Sequence, residues 1–359
     1  MTLLTRPFRT LAATIATACA ITLLAPAPAG ADVGLDAQEA PSVQQVDAAA
    51  GEFDVQRLAG DDRFATAVAI SREIFPEGVK APVVYLVNAN NFPDALAAGP
   101  AAIRQSGAIF PIPQDWIAGT VGPEIDRLDP ERVVIVGGPA VIDPLVENLV
   151  RWYVPNARID RIGGADRYET AELIARDAAG AAESSDRYAF VATGANFPDA
   201  LAAAPAAAKL DAPILLVPGG SIAAGTSKAI QDLHVDHIVI VGGEASVSRD
   251  TAVSLAAIPG VVEVRRVAGA DRYLTAAEVS AQFIGSSDHA LVATGEGFVD
   301  ALAGAPLAGA LGAPLLLARP GCMPAVTMER IADSGASSIR LLGGPSTLSP
   351  AVENLQPLC

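Results

Sequence analysis

An aspartate followed by an arginine, set two residues behind a glycine and just ahead of an aromatic residue and a threonine, recurs three times. The copies read Gly60-Asp-Asp62-Arg63-Phe64-Ala-Thr66, Gly164-Ala-Asp166-Arg167-Tyr168-Glu-Thr170 and Gly269-Ala-Asp271-Arg272-Tyr273-Leu-Thr275. A guanidinium offers a planar fork of donors that suits phosphate and carboxylate. Three equivalent arginines along a groove could therefore hold the anionic groups of a repeating polymer, weak sites adding through avidity. The competing reading is structural. Asp62, Asp166 and Asp271 stand where a helix N-cap would accept backbone donors, and Arg63, Arg167 and Arg272 could pair with Asp94, Asp199 and Asp300.

Those three acids belong to a second recurring block, Asn91-Phe-Pro-Asp94-Ala-Leu-Ala, Asn196-Phe-Pro-Asp199-Ala-Leu-Ala and Gly297-Phe-Val-Asp300-Ala-Leu-Ala. A third block is an apolar run closed by paired glycines, ending at Gly138, Gly243 and Gly344. Backbone amides at such a turn attract anions, and tight strand-to-helix turns explain the glycines equally well. No Gly-x-Gly-x-x-Gly and no Gly-Lys-Ser/Thr loop occurs. Arg57, Arg161 and Arg266, one before each first block, read as packing or inter-copy pairing residues.

Residues for catalysis are not repeated. His234, His237 and His289 are the only histidines, and neither His-Glu-x-x-His nor Gly-x-Ser-x-Gly is present. His234 and His237 flank a strand, as surface histidines often do, and no metal or cofactor is expected. A purely structural assembly protein and a hydrolase remain alternatives to a binding module.

The spacing of the blocks sets the architecture. Asp62 to Asp166 is 104 residues, Asp166 to Asp271 is 105, and Gly243 to Gly344 is 101. A period of this size is a whole small domain rather than a solenoid turn. The copies fall at 52–154, 155–260 and 261–359. Short apolar runs at Val83–Val87, Tyr188–Ala192 and Ala290–Ala293 read as buried strands, and Ala-rich helices follow at Pro93–Gln105, Pro198–Leu210 and Val299–Leu311. Further strands fall at Ala108–Ile112, Pro213–Val217 and Pro314–Leu317. Continuous apolar strands alternating with helices predict α/β units with parallel sheets covered on both faces.

The chain has 359 residues, 51% of them hydrophobic but only 5% aromatic, with a formal charge of −16. That charge excludes a nucleic-acid coat, which needs clustered Lys and Arg. Arg6 and Arg9, the apolar stretch Leu11–Ala25 and Ala29-Gly-Ala31 read as a cleavable export signal over 1–31, followed by an acidic, Ala-rich leader at 32–51. No later segment is expected to span a membrane. Removing 1–31 takes away two arginines and no acid, so −16 becomes −18. Cys322 and Cys359 then remain, either as one disulfide of an exported protein or as two thiols.

Taken in order, the three blocks resemble the cell wall-binding repeat type 2 family, which also carries a Pro-Ile-Leu-Leu strand. The resemblance implies three Rossmann- or Toprim-like three-layer domains arranged as a pseudo-threefold trimer. It implies a secreted protein, located at the cell wall, that docks non-covalently on an anionic secondary wall polymer or a peptidoglycan-associated glycan. The family associates the Ile-Leu-Leu segment with anchoring, which transfers to Ile214, Leu215 and Leu216 and to Leu315, Leu316 and Leu317, alongside Arg63, Arg167, Arg272, Asn91 and Asn196. Copy one departs from the pattern with Ile109-Phe110-Pro111-Ile112 and with Asn88-Ala89 in place of Thr-Gly; Pro111 implies an edge or irregular strand. Members often carry an attached enzyme such as an N-acetylmuramoyl-L-alanine amidase, so the alternative function is an amidase-related peptidoglycan hydrolase or an amidase modifier.

Overall fold

The computed structural model describes residues 53–179 and 187–359; the export signal 1–31 and the leader 32–51 lie outside them. Copy one contributes strands β1 (Asp54–Leu58), β2 (Val83–Asn88), β3 (Ala108–Ile112) and β4 (Arg132–Val136). Copy two contributes β5 (Arg158–Ile162), β6 (Tyr188–Thr193), β7 (Ile214–Val217) and β8 (His237–Val241). Copy three contributes β9 (Glu263–Val267), β10 (His289–Thr294), β11 (Leu315–Ala318) and β12 (Ser338–Leu342).

Three parallel sheets result, and each borrows a strand. Their orders are β3-β2-β4-β5, β7-β6-β8-β9 and β11-β10-β12-β1. The strand ahead of each Gly-x-Asp-Arg block thus completes the sheet of the preceding copy, with β5 on β4, β9 on β8 and β1 on β12. The exchange closes into a ring, because β1 of copy one completes the sheet of copy three. Inner strands such as β2 are buried on both faces, as helix-covered parallel sheets require. The borrowed strands are edges and carry charged residues among their apolar ones, for example Arg-Ile-Asp-Arg-Ile in β5, which guards an open ladder against stray pairing. Their arginines hold the preceding copy's paired-glycine turn: Arg57, Arg161 and Arg266 each donate from Nη1 to the carbonyl of Gly343, Gly137 and Gly242. The inter-copy pairing expected for them is what the fold shows.

Helices join the copies in the same cyclic sense. Arg63–Ile74 packs on Val299–Leu311, Arg167–Ala178 on the segment Pro93–Arg104, and Arg272–Val279 on Pro198–Lys209. The segment expected as one helix at Pro93–Gln105 is a short 3-10 turn, Pro93–Ala97, running into an α-helix, Ala98–Arg104. These Ala-rich helices also pack on one another about a pseudo-threefold axis. Gly99, Ala204 and Ala305 occupy equivalent positions there, and a Cβ on Gly99 would fall against the methyls of the other two. Small side chains allow such close helix approach, which accounts for the high alanine and low aromatic content. At the mouth of the axis Phe92 meets Phe197 and Phe298 edge to face, with ring centroids 5.6 and 5.8 Å apart, and Phe197 and Phe298 meet at a tilt at 6.2 Å.

Pro111 lies in β3, an edge strand, as expected from its missing donor. Cys322 and Cys359 are joined, with Cα atoms 6.0 Å apart, and the C-terminal tail pairs with the loop after β11 through Cys359 N–H to the Met323 carbonyl at 3.0 Å. Among the described residues no helix is long and apolar enough to cross a membrane.

Candidate functional site

The borrowed strand delivers each Gly-x-Asp-Arg block to the carboxyl end of the preceding copy's sheet. Asp62, Asp166 and Asp271 are helix N-caps: each Oδ1 accepts from two backbone N–H groups of the first turn at 2.8–2.9 Å. Thr66, Thr170 and Thr275 accept from the N–H of Gly60, Gly164 and Gly269 at 3.0–3.1 Å and so fold the loop back on its helix. The arginine between them spans outward. Arg63 donates to the carbonyl of Ala89 at 3.0 Å, Arg167 to that of Gly194 at 2.6 Å, and Arg272 to that of Gly295. Each guanidinium is therefore fastened to the end of its own copy's central strand.

The acid facing each arginine is not the one in its own copy. Pairing of Arg63, Arg167 and Arg272 with acids such as Asp94, Asp199 or Asp300 is expected from the sequence, and the cyclic packing sets which acid each one faces. Arg167 faces Asp94, Arg272 faces Asp199 and Arg63 faces Asp300, in each case across a junction and by charge rather than as a bidentate pair. Burial pushes all three carboxyls up. Asp94 is raised by burial against the opposing pull of Thr170 and Arg167, and Asp199 by burial against Ser246 and Arg272. Asp300 is pushed up to about 6 by burial, opposed only by Arg63.

Above each acid sits a paired-glycine turn. Gly137, Gly242 and Gly343 have φ of +111°, +107° and +115°, where a side chain is strained, and a Cβ on any of them would run into the carboxylate of Asp94, Asp199 or Asp300. The second glycines, Gly138, Gly243 and Gly344, have no such crowding, and Gly243 and Gly344 line the clefts. The paired glycines read from sequence as tight strand-to-helix turns, and the first of each pair, Gly137, Gly242 and Gly343, is the one whose positive φ and close approach to an acid require glycine.

Two junctions open into clefts. One of about 270 Å³ is lined by Gly60–Arg63, Thr66, Asp300, Gly344, Ser346 and Thr347. The other, of about 230 Å³, includes Asn196, Asp199, Gly243, Ser246, Asp271, Arg272 and Thr275. Arg272 also lies over the Phe197 ring at 5.9 Å, tying this cleft to the axial aromatics. At the third junction Val141 takes the place of Ser246 and Thr347, so the hydroxyl there is lost. Asn88, by contrast, does the work of its counterparts: its Oδ1 accepts from Asn90 N–H as Thr193 and Thr294 Oγ1 accept from Ala195 and Glu296.

Asn91 and Asn196 are exposed at this face, and Asn196 lines a cleft. The Ile-Leu-Leu positions require a correction. Ile214, Leu215, Leu216, Leu315, Leu316 and Leu317 are strand residues at most 1% exposed. They fill the core on both sides of β7 and β11 and cannot touch a polymer. Among the described residues no cluster of His, Cys, Asp and Glu is arranged to hold a metal, and His237 is engaged with Asp236 at 2.7 Å.

Comparison with known proteins agrees with this geometry. The chain is 28% identical over 309 residues to N-acetylmuramoyl-L-alanine amidase LytC of Bacillus subtilis (strain 168), covering 86% of this chain and 59% of that protein. It is 30% identical over 300 residues to the Amidase enhancer of the same organism, covering 83% of this chain and 39% of the other. Among solved structures, Cwp6 from Clostridium difficile superposes with a TM-score of 0.75 at 27% identity, over 85% of this chain and 48% of that one. Cwp8 from Clostridium difficile gives 0.74 at 30% identity, over 85% and 51%. The model of cell wall binding domain 2 (CWB2) matches residues 57–147, 161–252 and 266–353, the three spans that the ring of exchanged strands joins. The chain belongs to the cell wall binding domain 2 family, as three tandem repeats.

Proposed function

We propose that the protein is an exported, wall-associated binding protein that holds an anionic secondary wall polymer non-covalently in the clefts between its repeats. The observation that carries this reading is the threefold recurrence of one constellation at one end of the sheets. In each junction an arginine of one repeat is fixed on a backbone carbonyl and turned toward the acid and glycine turn of the repeat before it. Three arginines so placed can each take a phosphate or carboxylate of a chain running across them, and occupancy of one raises the local concentration at the next. A buried acid beside each arginine keeps an empty cleft from being strongly cationic, so a ligand anion competes with an internal one.

Peptidoglycan hydrolysis, or modification of an amidase, is the second reading, favoured by the names of the two relatives. One is called an amidase and the other an enhancer, and the region they share with this chain is less than two thirds of either. The family model that matches all three repeats is described as a cell wall binding domain, which favours binding over hydrolysis. Incubation with purified walls tests the choice: the protein pellets with them and leaves no cleared band in a wall zymogram. Clearing that survives purification would make it a hydrolase, and failure to pellet would remove the wall-binding reading.

A further inference from the structure

One break in the threefold pattern is an exposed aromatic residue in the loop after β3. The loop after β3 runs Gln114-Asp115-Trp116-Ile117-Ala118. Gln114, Gly219 and Pro320 are equivalent, since their carbonyls accept from the N–H of Asp143, Ser248 and Ser349 at 2.7–2.8 Å. Trp116 therefore corresponds to Ser221 and to Cys322, the latter held in the disulfide with Cys359. Ile117 and Ala118 turn into the core, 8% and 3% exposed, whereas Trp116 is 48% exposed. The loop buries its two small apolar residues and leaves the large one out.

Trp116 is nevertheless braced. Its ring packs on Phe64, with centroids 6.1 Å apart and planes inclined at 59°. Phe64 directly follows Arg63, which lines the cleft between copies three and one. The equivalent aromatic in copy three, Tyr273, is covered instead by Arg319, 4.8 Å from its ring centre. Two exposed polar residues precede Trp116 in the loop: Asp115, and Gln114 with its amide donating to the Ala140 carbonyl at 3.0 Å.

We propose that Trp116 and Phe64 form a stacking platform for a pyranose ring, a neutral sugar unit of the wall glycan, next to the anion-binding cleft of Arg63. A half-exposed indole braced by a second ring can match the C–H face of a pyranose, and apolar contact of this kind persists where net charge repels. Asp115 and Gln114 supply acceptors and donors for ring hydroxyls at the rim. Only copy one offers this platform. The inference rests on the wall-binding reading, and it gives the protein a polarity: a glycan chain has one preferred end on the ring of repeats.

The test uses the full chain carrying Trp152→Phe, which leaves Trp116 as the single tryptophan of the two in the sequence. Chitohexaose and, separately, the neutral oligosaccharides released from purified walls are titrated against its fluorescence. Saturable quenching by either probe is the expected result, and quenching by neither overturns the proposal. In parallel, Trp116→Ala weakens sedimentation with intact walls by about tenfold, and Trp116→Phe restores part of that loss at unchanged thermal stability. If unsubstituted protein pellets with walls while Trp116 answers to no sugar, the platform fails and the cleft reading stands. If Trp116 is quenched but the protein does not pellet, the cleft reading fails instead.

Discussion

Arg57 and Glu353, 296 residues apart, meet at 3.1 and 3.0 Å through the Nε and Nη2 of the arginine and one carboxylate oxygen. The contact locks β1 of the first repeat to the short helix Pro350–Glu353 of the third and closes the ring. The same guanidinium donates to the Gly343 carbonyl at 2.8 Å, so one side chain secures both the seam and the turn above Asp300. Arg57→Ala removes these bonds and leaves that carbonyl short of a partner, at a cost of about 1–3 kcal/mol. Urea denaturation checks it: the midpoint falls with the slope unchanged, and an unaltered midpoint would show that the seam is held without Arg57.

Replacing Arg63, Arg167 and Arg272 together by glutamine should weaken wall binding by about 100-fold or more, because three linked sites are lost at once. Each arginine gives up a bond to a carbonyl, so stability falls by about 1 kcal/mol per site and the fold persists. Circular dichroism with wall sedimentation separates the two effects. Full binding by a folded triple variant would make the arginines purely structural.

Within the set, the clefts should not be equal. The junction holding Asp94 and Arg167 has Val141 where the others place Ser246 and Thr347, so Arg167→Gln alone should cost less wall affinity than Arg63→Gln or Arg272→Gln. Single-variant sedimentation curves test the ranking, and a reversed order would contradict it.

The carboxyl of Asp300 is raised by burial from 3.8 to about 6. A folded state that holds this proton more tightly than the unfolded chain is stabilised below pH 4, and it loses that contribution as pH rises through about 6. Asp94 and Asp199 are shifted in the same direction. Asp300→Asn removes the charge while keeping the shape. The variant's melting temperature should therefore rise relative to the unsubstituted protein at pH 7.5 and match it at pH 4. A constant difference across that range would show that Asp300 does not titrate there.

Closing a loop of 37 residues, the Cys322–Cys359 bridge contributes about 3–4 kcal/mol in the chain-entropy model. Cys322→Ser should lower the unfolding free energy by that order and loosen the tail first. Thiol labelling of the denatured, unreduced protein should find neither of these cysteines reactive; labelling of both would exclude the bridge.

Much of this was legible in the sequence for a physical reason. Buried parallel strands are continuous apolar runs, so β3 was bounded to the residue, and the Ala-rich helix Val299–Leu311 was bounded as well. The N-caps Asp62, Asp166 and Asp271 were visible because a cap is a local interaction. The exchange of β1, β5 and β9 was not, since parallel pairing between repeats leaves no trace in spacing. That one fact places the acids facing Arg63, Arg167 and Arg272 in the preceding repeat. The anchoring role of the Ile-Leu-Leu segments came from the family resemblance, whereas the apolar runs Pro213–Val217 and Pro314–Leu317 already read as strands, and buried strands are what the fold shows.

The central claim is that inter-repeat clefts hold an anionic wall polymer, and the most direct measurement is quantitative sedimentation with purified walls before and after chemical removal of the secondary polymer. The account predicts strong pelleting with intact walls and its loss with stripped ones. Equal recovery in the supernatant in both cases, or equal pelleting in both, would contradict it.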